Sequence, residues 1–220
     1  MYIAFEGIDG SGKTTQIQML EKEELFKSFS TNFNTMYIKE PYYFHPDMYN
    51  LLHHINYGNN ATQLLLFLAC HAELVTTLLD SFQHQHNIIS DRSLYSTYAY
   101  TTGYDEHLAK KAKNIVRILG IEAYPNIVFY LKSTYENIKT RSMRRNVAQN
   151  YSDVIENQTK DFYQRVLNAY DNLIRDSPSK WYVFDANESP EKIHNDIMFV
   201  LMKEIGENGF SKLVSCSSNS

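Results

Sequence analysis

Residues 7–14 read GIDGSGKT and fit the pattern G-x-x-x-x-G-K-[ST], whose residue types and spacing suit the binding of phosphate groups. Glycines let the backbone approach anionic oxygens without a Cβ clash, and backbone N–H groups and a following helix N-terminus attract those oxygens. Lys13 would reach the β- and γ-phosphates of a nucleoside triphosphate, and the Thr14 hydroxyl would ligate Mg²⁺. The residues predicted to bind the triphosphate are Gly7, Ile8, Asp9, Gly10, Ser11, Gly12, Lys13, Thr14 and Thr15.

A second polar pair, Asp91-Arg92, comes directly after an apolar run. In a protein with this kind of phosphate-binding loop, an Asp in that place commonly holds Mg²⁺, directly or through water. Arg92 offers a planar fork of donors that matches a phosphate group. The alternative is that the pair caps a helix and forms a surface ion pair. We therefore predict Thr14 and Asp91 as metal ligands and Arg92 as a phosphate ligand.

Two further basic segments are candidates for phosphate binding. Lys39 precedes Glu40 and Pro41 at the end of an apolar run, where it could bind a second phosphate or belong to an ordinary strand-end turn. Arg141, Arg144 and Arg145 cluster where a helical pattern breaks. Phosphoryl transfer needs charge neutralisation beyond one Lys and Mg²⁺, so this cluster predicts a small helical lid over about 141–152. A solvated basic face is the other interpretation.

The elements that must position these residues alternate between strand and helix. This alternation predicts an α/β fold, with a five-stranded parallel sheet and helices on both faces in three layers. In such sheets, ligands bind beyond the carboxyl ends of the strands, where the polar residues named above fall. The predicted strands are 2–5, 36–38, 87–91, 127–131 and 181–185, and the predicted helices include 15–22, 62–82 and 190–204, the last of which Ser189-Pro190 caps.

The length of 220 residues suits one domain, which we place at 1–205, followed by a flexible polar tail at 206–220. A net charge of −4 argues against a broad nucleic-acid-binding surface. No stretch approaches the ~20 apolar residues of a membrane span. Two cysteines give no disulfide framework, so we expect a cytoplasmic protein that acts on small molecules, with access to the nucleus left open.

With these pieces assembled, the chain resembles the thymidylate kinase family, part of the nucleoside monophosphate kinase group of P-loop proteins. The resemblance runs from Tyr2 to about Glu204 and implies Mg²⁺-dependent transfer of the ATP γ-phosphoryl group to dTMP by a homodimer. It rests on residues 5–16, on Lys39-Glu40-Pro41, on 66–69, on Asp91-Arg92 with 96–100, and on 153–156 followed by Phe162, Val166 and Tyr170.

The resemblance also implies roles for individual residues. Asp9 would contact the 3′-hydroxyl of the dTMP sugar and help to order the site. Lys39, where the family usually has Arg, and Arg92 would bind the acceptor phosphate. Other substrate contacts would come from Phe67, which would stack on the pyrimidine, from Tyr100, which would crowd the sugar and favour deoxyribose, and from Ser96.

The family places one catalytic arginine either inside the phosphate-binding loop or in the lid. Residues 7–14 contain no Arg, so the resemblance assigns this role to Arg144 or Arg145. The predicted catalytic set is therefore Asp9, Lys13, Arg92, Arg144 and Arg145.

Two positions depart from the family pattern. His71 stands where many relatives have an Arg that contacts the pyrimidine O4. We predict that His71 binds the substrate there with one donated hydrogen bond, although a histidine lacks the fork and the permanent charge of arginine. Val154 likewise replaces the Arg of an Asp-Arg-Ile-Glu pattern. Both departures bear on the choice of base and leave the reaction class unchanged.

Other functions compete with this assignment. A deoxynucleoside kinase has a similar phosphate-binding loop but needs a carboxylate base near the sugar 5′-hydroxyl, and Glu40 is the obvious candidate. A GTPase would need Asn-Lys-x-Asp and Asp-x-x-Gly motifs, which do not occur in suitable positions. A module that binds nucleotides without catalysis is the third alternative.

Overall fold

The computed structural model describes residues 1–23, 35–41, 60–83, 87–141 and 158–205. Five strands form one sheet in the order β2-β3-β1-β4-β5, and every neighbouring pair is parallel. The strands are β1 (Tyr2–Glu6), β2 (Thr35–Lys39), β3 (Asn87–Asp91), β4 (Ile127–Lys132) and β5 (Lys180–Asp185). The predicted sheet is confirmed, and each predicted strand lies within one or two residues of an observed one.

Helices connect these strands and cover both faces of the sheet. They are α1 (Lys13–Lys22), α2 (Asn60–Gln83), α3 (Leu94–Tyr104), α4 (Glu106–Leu119), α5 (Lys160–Asp176) and α6 (Pro190–Ile205). The Ser189 hydroxyl accepts a hydrogen bond from the Lys192 N–H at 3.2 Å, which confirms the predicted cap of α6. Residues 135–141 are also helical.

The central strand β1 shows why the sheet needs helices on both faces. Its five residues are all buried. Ile3 and Phe5 pack in a cluster with residues of α1 and α6, whereas Tyr2 and Ala4 pack with residues of α2. Side chains alternate between the two faces of a strand, so a strand that is apolar at every position requires a layer on each side. The predicted three-layer arrangement is confirmed.

A third cluster of buried side chains joins α3, α4 and α5 to β4, with Tyr130 and Tyr170 stacked at 4.8 Å between ring centroids. It also contains Ile8, so the phosphate-binding loop is anchored directly in the core. None of the helices in the described ranges has the length and apolar character that a bilayer span requires. The predicted tail at 206–220 lies outside the described residues.

Candidate active site

Three strand ends bring the predicted site residues together at one edge of the sheet. Phe5 of β1 pairs with Asp91 of β3, and Asp91 pairs with Lys39 of β2. Neighbouring strands lie about 4.8 Å apart. The segments that follow these three strands therefore start side by side, and they carry the phosphate-binding loop, Arg92 and Glu40. The convergence predicted from the strand-end motifs is present.

The loop between β1 and α1 has the backbone that a phosphate cradle requires. Gly7, Gly10 and Gly12 have φ values of 140°, 79° and 102°, which disfavour residues with a Cβ. A Cβ on Gly7 would lie 2.7 Å from the Leu131 carbonyl oxygen and 2.7 Å from the Ser11 hydroxyl. That hydroxyl is buried and has no hydrogen-bond partner within the described ranges. A bound phosphate oxygen would satisfy it, so the loop fits the ligand predicted from its motif.

Lys13 is folded back into the loop. Its ammonium group donates to the carbonyl oxygens of Gly7 at 2.9 Å and Ile8 at 3.1 Å. Burial, and to a lesser extent the Arg92 guanidinium, lower the pKa of Lys13 to about 8. A positive charge held by two neutral carbonyl groups would gain a stronger partner in a phosphate oxygen. Lys13 is thus placed to transfer its donors to a bound nucleotide.

Thr14 and Asp91, the predicted metal ligands, are in direct contact. The Thr14 hydroxyl donates to Asp91 Oδ2 at 2.7 Å, while Oδ1 is buried and has no partner in the described part of the chain. Both groups offer the hard oxygen ligands that Mg²⁺ prefers, and Mg²⁺ usually takes only one or two protein oxygens beside phosphates and water. No cluster of three or more His, Cys, Asp and Glu side chains occurs in the described ranges. The pair therefore fits Mg²⁺ shared with a nucleotide.

Arg92 is held in place by several hydrogen bonds. It donates to the Gly7 carbonyl at 3.1 Å, to the Ser96 hydroxyl at 2.9 Å and to Asp9 Oδ1. Its φ of 75° is in the left-handed region, a conformation that costs a non-glycine residue about 1–3 kcal/mol. The bonds on the side chain offset this strain. They also fix the guanidinium, only 12% exposed, beside the phosphate-binding loop.

Asp9 and Tyr100 contact each other and Arg92. The Tyr100 hydroxyl donates to Asp9 Oδ2 at 2.8 Å and accepts from the Asp9 N–H at 3.2 Å. Burial alone would raise the pKa of Asp9, but Arg92 and Lys13 hold it well below its ordinary value. Asp9 is therefore an anion, and its side chain remains 30% exposed. The arrangement suits contact with a polar ligand group such as a sugar hydroxyl.

Glu6 is a part of the site that the sequence did not predict. Its Oε1 accepts from the Ser93 N–H at 2.8 Å and the Ser93 hydroxyl at 2.7 Å, and its Oε2 accepts from Ser96 at 2.6 Å and Tyr170 at 2.8 Å. Burial raises the pKa of Glu6. The Ser96 hydroxyl also contacts Arg92, so Glu6 holds Arg92 through one intermediate. The sequence did contain one indication of this role, because Glu6 is a carboxylate at the end of the otherwise apolar strand β1.

Arg141 is the first residue of the predicted lid, and its side chain contacts the phosphate-binding loop. Its guanidinium donates to the carbonyl oxygens of Gly10 at 3.3 Å and Ala186 at 2.6 Å. It therefore ties the phosphate-binding loop to the segment after β5. Arg144, Arg145 and the rest of the lid lie outside the described residues, so their catalytic role stays a prediction.

The second side of the site is formed by the end of β2 and by α2. Lys39 is exposed at the last position of β2. Phe67 is half-buried on α2, one helical turn before His71. His71 is buried, with Nδ1 3.2 Å from Glu40 Oε2 and Nε2 3.0 Å from the Ile121 carbonyl oxygen. Both ring nitrogens thus have partners in the protein, and the predicted contact of His71 with the base stays a prediction.

Several known proteins are similar to this chain over most of its length. Residues 5–197 match the family model described as thymidylate kinase. Thymidylate kinase of Thermoanaerobacter sp. (strain X514) is 30% identical over 207 residues, which cover 92% of this chain and 97% of that protein. Thymidylate kinase of Prosthecochloris aestuarii is 32% identical over 218 residues, which cover 94% of this chain and 95% of that protein. A crystal structure of thymidylate kinase from Ehrlichia chaffeensis matches with a TM-score of 0.66 at 27% identity. The match covers 92% of this chain and 98% of that chain.

Proposed function

The chain belongs to the thymidylate kinase family, and on that premise we propose how its residues divide the work of the family reaction. The enzyme is an ATP-dependent nucleoside monophosphate kinase that converts dTMP to dTDP, a step of nucleotide biosynthesis. Members of the family use ATP and typically Mg²⁺. The residue roles below are our proposal, and the contacts around each residue support them.

On the donor side, residues 7–15 bind the phosphates of ATP. Two observations support this role: among the described residues, the Ser11 hydroxyl has no partner, and Lys13 donates only to carbonyl groups that a phosphate could replace. Thr14 and Asp91 hold Mg²⁺, which neutralises phosphate charge when bound. Arg141 keeps the loop against the segment after β5 and so preserves the shape of the cradle.

On the acceptor side, Arg92 and Lys39 bind the phosphate of dTMP. Arg92 has a fixed orientation before any ligand arrives, since Asp9, Ser96 and the Gly7 carbonyl hold it. Asp9 receives the sugar 3′-hydroxyl, and Tyr100 occupies the space beside it. Phe67 on α2 stacks on the pyrimidine.

Transfer of the phosphoryl group depends on the placement of the two nucleotides and on positive charge around the transferred group, and it does not depend on a general base. The attacking oxygen of dTMP is already anionic, so no side chain has to remove a proton from it. In-line placement of the two nucleotides lowers the barrier, and donors fixed where charge builds up stabilise the transition state. Lys13, Arg92 and a lid arginine, Arg144 or Arg145, supply those donors.

The surroundings of Glu40 argue against the deoxynucleoside kinase alternative. That reaction needs a carboxylate free to accept a proton from the sugar 5′-hydroxyl. Glu40 is 5% exposed, and its oxygens contact His71 at 3.2 Å and the Tyr2 hydroxyl at 3.4 Å. The candidate base is therefore engaged inside the protein.

One observation carries the assignment of the site: a phosphate cradle and a preset arginine meet at the same sheet edge, joined by the bond from Arg92 to the Gly7 carbonyl. The test is a panel of acceptors with ATP and Mg²⁺, comprising dTMP, dUMP, dCMP, dGMP, UMP and thymidine. We expect dTMP to have the highest kcat/KM. Activity confined to purine or ribose acceptors, or a preference for thymidine over dTMP, would contradict the assignment.

We also propose that residues 1–205 form one kinase domain with a lid at about 141–152, and that two copies associate in the cytoplasm. The 56% exposure of Leu65 on α2 supports a contact between copies through this helix. Light scattering on the purified protein tests this, with Leu65→Glu expected to give a monomer. A wild-type monomer at micromolar concentration would contradict the dimer.

A further inference from the structure

His71 lies between two hydrogen-bond acceptors. The Ile121 carbonyl can only accept, so Nε2, 3.0 Å away, must carry a proton. Nδ1 faces Glu40 Oε2 at 3.2 Å, and one further proton must lie between those two groups. An imidazole is ordinarily a stronger base than a carboxyl group by about two pKa units. The shared proton therefore belongs on His71, which makes the ring an imidazolium.

A second contact also favours a charged pair, with His71 as the imidazolium and Glu40 as the carboxylate. The Tyr2 hydroxyl donates to Glu40 Oε1 at 3.4 Å, as expected of a phenol beside a carboxylate. Burial alone would lower the pKa of His71, but Glu40 and the Ile121 carbonyl raise it above its ordinary value. The titratable group in contact with the ring is Glu40, from the end of β2. Tyr2 on β1 contacts Glu40 on its other oxygen, and Glu40 also acts on Cys70, the neighbour of His71 on α2.

The position of this ion pair connects the two halves of the proposed acceptor site. Glu40 follows Lys39, the proposed phosphate ligand, and its backbone N–H donates to the Asp91 carbonyl at 3.1 Å. His71 lies four residues after Phe67, on the same face of α2. The bond between His71 and Glu40 thus joins the element that would hold the pyrimidine to the element that would hold its phosphate.

We propose that His71 is a protonated positioning residue, which fixes the distance between Phe67 and Lys39 through its ion pair with Glu40 and so sets the affinity for the pyrimidine monophosphate. This inference rests on the proposed substrate contacts of Phe67 and Lys39. His71 needs no contact with the substrate in this role. Both of its donors are used to hold α2 against the end of β2 and the segment after α4.

The charge of His71 is measurable without any substrate. The ¹⁵N chemical shifts of histidine-labelled protein report whether each ring nitrogen is protonated, and the spectrum of His71→Gln assigns the signals. We expect both nitrogens of His71 to be protonated at neutral pH. A neutral ring at that pH would overturn the proposal, whatever the activity of the enzyme.

The kinetic test separates KM from kcat. A glutamine at this position can donate to only one of the two acceptors, because its carbonyl oxygen must face the other. We expect His71→Gln to raise the KM for dTMP about tenfold, equivalent to 1.4 kcal/mol, with kcat and the KM for ATP within about twofold of wild type. His194→Gln is the matched control. His194 is also buried and also pairs with a glutamate, Glu23, but it lies on α6, away from the proposed acceptor site. An unchanged KM for dTMP would overturn the proposal.

Glu40→Gln is the second test variant, for use if His71→Gln does not fold. It keeps the shape of the Glu40 side chain and removes its negative charge. The side-chain amide introduced by this substitution can donate to an unprotonated Nδ1, so the neutral ring satisfies both bonds. In the wild type, the KM for dTMP should rise as pH increases through the raised pKa of His71. In Glu40→Gln that rise should disappear, and an identical rise would overturn the proposal. If wild-type enzyme failed to phosphorylate dTMP, the proposed function would fail while the ¹⁵N result still decided the charge of His71.

Discussion

The hydroxyl of Thr14 and the carboxylate of Asp91 meet at 2.7 Å although 77 residues separate them in the chain. The contact exists because β1 and β3 are adjacent and parallel, so the loop after one strand starts beside the end of the other. It leaves Asp91 Oδ1 buried with no partner among the described residues. The two proposed oxygen ligands of Mg²⁺ are therefore already side by side in the protein.

Removal of either ligand should weaken the use of Mg²⁺. Thr14→Val preserves the shape of the side chain but removes the hydroxyl, and Asp91→Asn removes the charge. We expect each variant to raise the Mg²⁺ concentration for half-maximal rate about 10- to 100-fold, the usual range for altered metal surroundings. Thr14→Ser, which keeps the hydroxyl, is the control and should stay close to wild type. A wild-type Mg²⁺ dependence in Thr14→Val would refute the assignment.

The pKa of Lys13 predicts the alkaline limit of ATP use. Its free-enzyme pKa of about 8 means that the ammonium group loses its proton above that pH. We expect kcat/KM for ATP to fall about tenfold per pH unit above pH 8, because this parameter reports the free enzyme. In the ATP complex, phosphate charge holds the proton on Lys13, so kcat should persist to higher pH. A flat kcat/KM profile up to about pH 10 would contradict this role.

Arg92 should not be replaceable by lysine. Its guanidinium donates to four acceptors at once, whereas an ammonium group cannot reproduce that fork. We expect Arg92→Ala and Arg92→Lys both to lower kcat/KM for dTMP by at least about 10²-fold, the cost of one lost transition-state donor. The exposed Lys110→Ala serves as a control for loss of charge alone. Near-wild-type activity in Arg92→Lys would show that charge suffices.

Glu6 should be needed for stability as well as activity. Glu6→Gln keeps the size of the side chain but places a donor group where the protein also supplies donors. We expect the free energy of unfolding to fall by about 1–3 kcal/mol, the cost of a buried mismatch, and the KM for dTMP to rise as Ser96 and Arg92 loosen. Urea denaturation and steady-state kinetics measure the two effects. Glu188→Gln, on an exposed ion pair, should change neither.

Gly103 should resist substitution because α3 and α5 approach closely there. A Cβ at this position would lie 2.6 Å from both Phe162 and Val166. Overpacking of this kind costs about 1–3 kcal/mol, which exceeds the roughly 1 kcal/mol that alanine gains over glycine in a helix. We therefore expect Gly103→Ala to lower the urea midpoint. Gly120→Asn is the control: a Cβ there meets no described atom within 4 Å, and asparagine tolerates the φ of 65° better than most residues, so its midpoint should fall less. A midpoint at or above wild type for Gly103→Ala would contradict the packing.

Much of this fold could be predicted from the sequence because buried parallel strands are short, apolar throughout and bounded by polar residues. The phosphate-binding loop, Asp91 and Arg92 were predictable for the same reason, since each directly follows such a strand. Local spacing sufficed to place all of them at one sheet edge.

The buried polar contacts could not be predicted in the same way. Glu6 and Tyr170 are 164 residues apart and meet only because α5 packs across α3. The partners of His71 come from the end of β2 and from the segment after α4. Nothing in the residue types near His71 indicates that both ring nitrogens face inward. Such pairings depend on how helices rotate on the sheet, which periodicity leaves open.

The place of β1 at the centre of the sheet has a consequence for synthesis on the ribosome. Strand β1 is synthesised before both of its neighbours, so it must wait for Ile88 and then for Ile127 before both of its edges are covered. At about 5–20 residues per second, that interval is on the order of ten seconds. Until then the nascent chain exposes an uncovered apolar strand and has no complete nucleotide site. Neither ATP nor dTMP can therefore assist the earliest stage of folding.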